Sequence, residues 1–553
     1  MSHAIRNQKG IALIIALMLV LMLTIVGLGI VTSSGDEVSI AGNELNEMRA
    51  FYAAEAGLDR ATAAIQTHYE NTLVPPTNFP GDTLELNGVT VGYGIGPDSA
   101  MNKTIPKGTL TGLIAFTRPY TIQSTAYDST HSTAFTLEQS FEVAFVPLFQ
   151  FSVFYENDLE IAPGPTMLLL GRIHCNSDMY LQSDNGLQVE SYMTAHGTVL
   201  HGRKPGAGMS VGTGDVQIKA LDGTFRSMKQ GSDWLDAADA YWYDSASARW
   251  GGHVQDAAFA QDRLNIPLQS PTDSAHKIVE RYAGGSNPDS YEEKATFKII
   301  DGAAYYKSGS IWTDVTATLA ASGAMVERTF FDKRENKNVT VYDLNMGVFK
   351  TSAYVPPNGI IYVSDQRAGL HGTRIYNATD IGAALTIASE NPVYTKGDIN
   401  TTTKKPMSII CDALTVLSGN WDDANAKASS PTTSDRPALA TAVNFCYITG
   451  NTETGVGGAG YNGGLENLIR FLEDWTGRTM TFRGSMINLW YSQEATGNWS
   501  TSYYVPPTRN WAFDTDLNNP ANMPPGTPVV RSFIRWGWKQ RDVGYKATEF
   551  GLN

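Results

Sequence analysis

The stretch that decides the fold runs from Lys9 to Gln66: K-G-I-A-L-I-I-A-L-M-L-V-L-M-L-T-I-V-G-L-G-I-V-T-S-S-G-D-E-V-S-I-A-G-N-E-L-N-E-M-R-A-F-Y-A-A-E-A-G-L-D-R-A-T-A-A-I-Q. Ile11 to Val31 carries no charge, and at ~1.5 Å per helical residue it spans ~30 Å, the thickness of a bilayer's hydrocarbon. Beyond the span, Phe51, Ala54, Leu58, Ala61 and Ile65 recur at steps of three and four, so the pattern predicts one helix continuing to about Tyr69. Pro75 and Pro76 end it. Arg6 and Lys9 precede the span and predict a cytoplasmic N-terminus, with the bulk of the chain outside. A removable secretory signal has a shorter apolar core of ~7–15 residues and a small-residue cleavage site, and this run instead flows into more helix.

Gly10-Ile11-Ala12-Leu13 after the short basic leader, and Ala50-Phe51-Tyr52-Ala53-Ala54-Glu55-Ala56-Gly57-Leu58 on the stalk, resemble a type IV pilin of the PilX-type minor group. That resemblance implies cleavage by a prepilin peptidase between Gly10 and Ile11, methylation of the new amine, and partnership with other minor and major pilins. It also implies filament or stalk packing through Phe51, Tyr52, Glu55 and Leu58. Most pilins carry glutamate at the fifth mature position, and this chain has Ile15 there. A buried carboxylate in lipid is costly unless paired, so the substitution suggests a subunit with no neighbour ahead of it, near a filament tip.

The remaining chain is that of an ordinary globular protein, 42% hydrophobic and 17% charged, with 52 glycines and 10% aromatics favouring turn-rich β structure. A net charge of −14 argues against nucleic acid as a main partner, since phosphate binding needs a basic surface. Cys175, Cys411 and Cys446 are too few and too scattered for a disulfide framework or a zinc site. Two read as buried thiols within strands, Cys411 and Cys446, although an oxidising compartment would permit one bridge.

The expected fold is α+β and mostly β: a long pilin-type helix, a small antiparallel sheet and a large β-solenoid-like outer domain carrying an insertion. The leader is 1–10 and the membrane and stalk helix 11–70. Alternation in T-R-P-Y-T-I-Q-S-T-A-Y and T-A-F-T-L-E-Q-S-F-E-V-A-F-V predicts an antiparallel sheet over 71–147. From 148 to 214, and again from 353 to 460, short apolar triplets between Gly, Asn, Asp and Ser predict solenoid rungs without a visible strict repeat. Residues 215–352, with the helical W-L-D-A-A-D-A-Y-W-Y, read as an α/β insertion. Leu465, Leu468, Ile469, Leu472 and Trp475 predict a helix within a C-terminal region, 461–553, that continues into Pro-rich aromatic loops and a basic tail.

Few motifs point to chemistry. Gly455-Val456-Gly457-Gly458-Ala459-Gly460 has dinucleotide-binding spelling without a direct strand-to-helix turn, and Gly208-Met209-Ser210-Val211-Gly212 spells a nucleophile elbow with no helix after it. His196 and His201 lie five apart in a loop, off the spacing that aims two ligands at one metal. Glu156, Asp158 and Glu160 alternate on an expected strand and so share one face, where they could hold a calcium ion or serve acid–base chemistry. Trp490, Tyr491, Trp499, Tyr503, Tyr504, Trp511 and Phe513 could form a platform for a surface glycan or a tip adhesin. Two functions follow: a non-catalytic pilin that starts in the inner membrane and ends at a filament tip, or a membrane-tethered solenoid enzyme acting on envelope polysaccharide.

Overall fold

The computed structural model describes residues 9–76, 79, 81–128, 133–282, 287–429, 432–455 and 460–541. Helix α1, Lys9–Asn71, is continuous from the apolar span into the stalk, as its sequence pattern predicts. Strands β1 (Asp82–Leu86), β2 (Val89–Pro97), β3 (Met101–Thr104), β4 (Ile114–Asp128) and β5 (Thr133–Pro147) form an antiparallel sheet against its second half. Alternation in β4 puts Tyr120, Ile122 and Ala126 on the buried face with Leu137, Phe141 and Val143 of β5, and Ala54, Leu58, Ala61 and Ile65 of α1 close that core.

The sheet's fifth position along the order belongs to the strand Val529–Arg541, which pairs antiparallel with β5 from Val529↔Pro147 to Arg541↔Thr136. The basic tail is therefore a strand of the small sheet. Its cations have a structural reason: Arg541 and Lys539 bind Glu138, which sits on β5 opposite Lys539. Leu148 N–H also donates to the carbonyl of Pro528 at 2.9 Å, so the chain leaves the sheet and returns to it at one point. Everything between those two residues is inserted into the sheet's connectivity.

The inserted part is a stack of parallel coils. Val153–Tyr155, Ile173–Cys175 and Met193–Ala195 pair in parallel, as do Leu159–Ile161, Met179–Leu181 and Val199–His201, and likewise Met167–Leu169 with Gly186–Val189. The partner residues Val153, Ile173 and Met193 are fully buried and stand 20 positions apart, as are Leu159, Met179 and Val199. A twenty-residue repeat thus runs through these rungs, where none is visible in the sequence, and it is lost in the outer rungs of the arm. Polar corners repeat with it: Ser177 Oγ donates to Asp158 at 2.6 Å and Thr198 N–H to Asp178 at 2.7 Å.

A second arm grows in the other direction. Phe297–Ile300, Ile360–Ser364, Leu385–Ser389, Met407–Cys411, Cys446–Asn451 and Met486–Tyr491 pair in parallel in that order, and Met486 then aligns with Val153 of the first arm. The chain therefore enters mid-stack, builds one arm outward, crosses over, and builds the other back to its starting point. Residues 215–352 do not form a separate insertion. Asp215–Lys219 pairs with Gly186–Val189, Val254–Gln255 with Met193–Ala195, and Lys337–Asn345 with Leu370–Ala378, so the segment holds the end of one arm and the start of the other. Its aromatic helix, Trp242–Trp250, buries Trp242, Ala246 and Trp250 in the core shared with the coils.

The predicted helix over Leu465–Trp475 is also corrected. That segment makes a single 3-10 turn, Leu465–Asn467, then the two-residue strand Ile469–Arg470 that joins Leu414–Leu417. Its apolar residues are buried on both sides, and Arg470 is drawn in by Glu335 at 2.7 Å, so packing overrides the helical spacing.

Candidate functional site

Two halves of α1 define the site. Across Ile11 to Val31 every large apolar side chain is bare, from 53% exposed at Ile15 to 71% at Val31. A helix that is apolar all round belongs in a bilayer or in a bundle of other helices. Among the described residues this is one helix long and apolar enough to cross a membrane. Its hydroxyls are satisfied internally, with Thr24 donating to the Val20 carbonyl at 2.7 Å and Thr32 to that of Leu28 at 3.0 Å. Gly10, Gly27 and Gly29 have open space around them.

From Ala50 onward the helix is part of the globular body. Ala50, Ala53, Ala54, Leu58, Ala61, Ile65 and Tyr69 form the buried stripe. Gly57 marks the closest approach to the sheet: a Cβ there would run into the Ser124 hydroxyl and come to 2.8 Å from Val91 Cγ1. The terminal strand holds the helix end, with the Arg531 guanidinium donating to the Tyr69 carbonyl and Arg535 ion-paired to Asp59. A cation on one of the last carbonyls of a helix satisfies an otherwise orphaned acceptor and suits the helix dipole. Tyr69 also meets Tyr120 oxygen to oxygen at 2.6 Å, and burial first, then that bond, pushes the Tyr69 phenol well above its usual range. These anchors in the final strand lie far from α1 in sequence, and no local pattern announces them.

The expected packing residues divide between the two roles. Leu58 is fully buried in its own subunit's core. Phe51 stacks edge-on against Phe135 at 5.4 Å and Trp538 at 5.2 Å. Glu55 is half-buried, and Tyr52 is 63% exposed, continuing onto Leu45 and Met48, which are bare.

Elsewhere the chemistry-bearing candidates do not converge. Glu156 and Asp158 occupy the corner between Val153–Tyr155 and Leu159–Ile161, so the three acids do not share the face of one strand. Glu156 pairs with Arg263 and Asn176, Asp158 with Ser177, and buried Glu160 with Arg203, the Lys204 N–H and Tyr461. Each carboxylate is taken up by a different protein partner, and no group of three metal-ligating side chains occurs among the described residues. The expectation that the three acids share one strand face is corrected accordingly. Near Glu160, burial pushes the Glu466 carboxyl up to about 7.

His196 Nδ1 lies 2.8 Å from the Gln261 carbonyl oxygen, while His201 stacks on Trp234 and is held down to about 4, chiefly by burial. The Ser210 segment is followed by the strand Asp215–Lys219 and not by the helix an elbow needs. The glycine run at 455–460 falls largely outside the described residues. All three cysteines are free and buried, and burial raises the thiols of Cys175 and Cys411 to about 12. Of the aromatic series, Trp499 donates to Tyr504 at 2.9 Å and Trp511 packs Nε1 onto the Met480 sulfur at 3.1 Å, which is internal packing. Trp490 and Tyr491 instead line a cleft beside the stalk.

Residues 9–59 match the family model described as PilX N-terminal. No curated protein matches the chain. Among solved structures, the competence-associated pilin ComZ from Thermus thermophilus aligns over 90% of this chain and 97% of its own, at 10% identity and a TM-score of 0.26.

Proposed function

With residues 9–59 forming a PilX-type N-terminal segment, we propose that this protein is a non-catalytic minor pilin. It waits in the inner membrane as a single-pass precursor, is cut between Gly10 and Ile11 by a prepilin peptidase, and enters a type IV filament through α1. The observation that carries this reading is the contrast within one helix: bare and apolar across Ile11 to Val31, locked into its own sheet from Ala50 onward. Other pilins' helices supply the apolar surroundings that the first half lacks, replacing lipid on assembly. Gly27 and Gly29 lower helix stability there by roughly 1 kcal/mol each relative to alanine, which eases local unwinding as subunits pack.

Ile15 gives the subunit a place in the stack. With no carboxylate it needs no terminal amine from a subunit ahead, and it leaves its own Ile11 amine free for the carboxylate of the one behind. That suits the first-assembled end, where the outer domain is displayed for interaction or adhesion. The bulk of the coils also favours few copies per filament, because side-by-side repetition would crowd them.

N-terminal sequencing of membrane-bound protein tests the first step. A methylated chain starting at Ile11 is expected, and Gly10→Glu should leave a precursor held in the membrane. An intact leader in wild-type filaments would overturn the reading. Immunolabelling of the outer domain should mark filament ends, and even labelling along the shaft would remove the positional part.

A further inference from the structure

A cleft of 1010 Å³ opens where the stalk helix ends, the terminal strand begins and the two coil arms meet. From the stalk it takes Glu70, from the terminal strand Arg531, from the crossover segment Arg263 and Asp273, and from the coils Glu156 and Tyr491. Its volume is that of a site for an oligomeric ligand rather than a single ion.

The charges on its wall largely cancel. Glu156 is ion-paired to Arg263, and the Arg531 guanidinium is spent on the Tyr69 carbonyl beside Glu70. With carboxylates in slight excess, the cleft offers nothing to a polyanion. What remains is the half-buried Tyr491, backed by the buried Trp490, together with amide surface. Trp490 and Tyr491 end the strand Met486–Tyr491, whose pairing shifts register at Thr449/Gly450. Such an irregularity re-aims side chains, and here it lets two consecutive residues border the same cleft. Trp490 rests on Gly450, where a Cβ would come within 2.7 Å of its ring, and His276 stands edge-on to it at 5.4 Å. The Trp490 ring is buried in the core and forms a fixed backing to the wall behind Tyr491. On the same wall the side-chain amides of Asn157 and Gln493 have no hydrogen-bond partner among the described residues, and behind it His276 is held through Nδ1 by Glu280 at 2.9 Å with its buried Nε2 unpartnered.

The half-buried ring of Tyr491, amides that both donate and accept, and a compensated charge together match a ligand with apolar ring faces and many neutral hydroxyls. We propose that this cleft binds a neutral oligosaccharide. Of the carboxylates that line it, Glu156 is already held by Arg263 and Asn176, which suits holding a glycan and not cutting it. Binding does not depend on filament membership, so its failure leaves the assembly reading standing.

The test uses the full mature chain in detergent micelles against an array of neutral hexose and N-acetylhexosamine oligosaccharides, with a polyuronate series as the charge control, followed by calorimetric titration of the best binder. Saturable binding of a neutral oligosaccharide is expected, without binding of the polyuronates. Tyr491→Ala should weaken it by about tenfold at unchanged Tm, and Gln493→Ala should weaken it less. Should Tyr491→Ala lower Tm, Gln493→Ala and Asn157→Ala, which delete amides that hold nothing in the fold, carry the test alone. Absence of saturable binding by every neutral oligosaccharide overturns the proposal, as does undiminished binding by the cleft variants. Preference for polyuronates also overturns it. A crosslink from position 493 to a neighbouring pilin would then assign the cleft to a protein partner.

Discussion

The first and second halves of α1 use the same apolar vocabulary to opposite ends. Leu17, Leu19 and Leu23 are bare, while Leu58 and Ile65, on the same helix, are completely buried. The difference lies in what surrounds each: Ser124, Val91 and the rings of Phe135 and Trp538 approach the second half, and no part of the described chain approaches the first. Hydrophobicity says that a side chain needs cover, and the periodicity says who provides it. An all-round apolar surface needs cover from outside the subunit, and a one-sided stripe finds it within.

The sharpest way to break that comparison is to delete one side chain from each half. Leu58→Ala should cost the globular body about 2–5 kcal/mol, the range for a fully buried leucine left as a cavity. Leu19→Ala should leave the same unfolding transition unmoved within about 0.5 kcal/mol, as for a surface site. Chemical denaturation of the mature protein in detergent reads both, and equal shifts would show that the first half also folds against its own chain.

Next in size is the membrane side of the same contrast. Ile15→Glu places an acid in the bare half, at a cost below the ~2.5–3.5 kcal/mol that insertion scales give a charged residue at mid-bilayer, because Ile15 lies only four residues inside the span. Insertion efficiency should drop while the unfolding of the outer domain stays unchanged. If the variant assembles in normal number at filament tips, the missing carboxylate carries no positional meaning.

A third, smaller effect concerns the clamp at the end of the packed half. Arg531→Ala removes the donor to the Tyr69 carbonyl, and an unsatisfied buried acceptor costs about 1–3 kcal/mol. Increased amide exchange in the last turns of α1, before Asn71, is the expected signature. Unchanged exchange there would mean that the apolar stripe alone holds the helix end.

How much of this was legible in the sequence depends on the range of the interaction. The helix, its packed stripe and the β4–β5 hairpin follow from local periodicity, and the structure places Ala54, Leu58, Ala61 and Ile65 together as that periodicity requires. The twenty-residue register of Val153, Ile173 and Met193 was also present in the sequence, but triplets this short are diluted by variable corners, and the second arm spaces its rungs irregularly. Strand Val529–Arg541 could not be assigned to the sheet from its own composition. Its partners lie on the far side of the whole inserted domain, and its cations read by themselves only as a basic tail, whereas Glu138 accounts for Lys539 and Arg541. The carboxylates at 156, 158 and 160 part for a different cause, since alternation does not persist across the corner between two strands.

The smallest expected effect falls at the boundary between the halves. Tyr52 lies one residue after Phe51, yet Phe51 is wedged between Phe135 and Trp538 while Tyr52 is 63% exposed. Its exposed neighbours on the helix are Met48 and Leu45, so Tyr52 is the last outward-facing large apolar side chain before the sheet takes over. Within the isolated subunit it contributes an edge contact to Phe51 at 5.3 Å and little buried area. Tyr52→Ala should therefore change the subunit's own stability by no more than about 0.5 kcal/mol, as expected of a surface site. If neighbouring helices cover this face in a filament, the same substitution should reduce co-purification with other pilins, since an aromatic ring sealed at an interface contributes far more than an exposed one. Calorimetry of the purified subunit and pull-down from membranes separate the two effects. Loss of pilin association at unchanged Tm keeps Tyr52 with the bare half, whereas a lowered Tm moves the boundary toward the membrane and assigns the ring to the subunit's own fold.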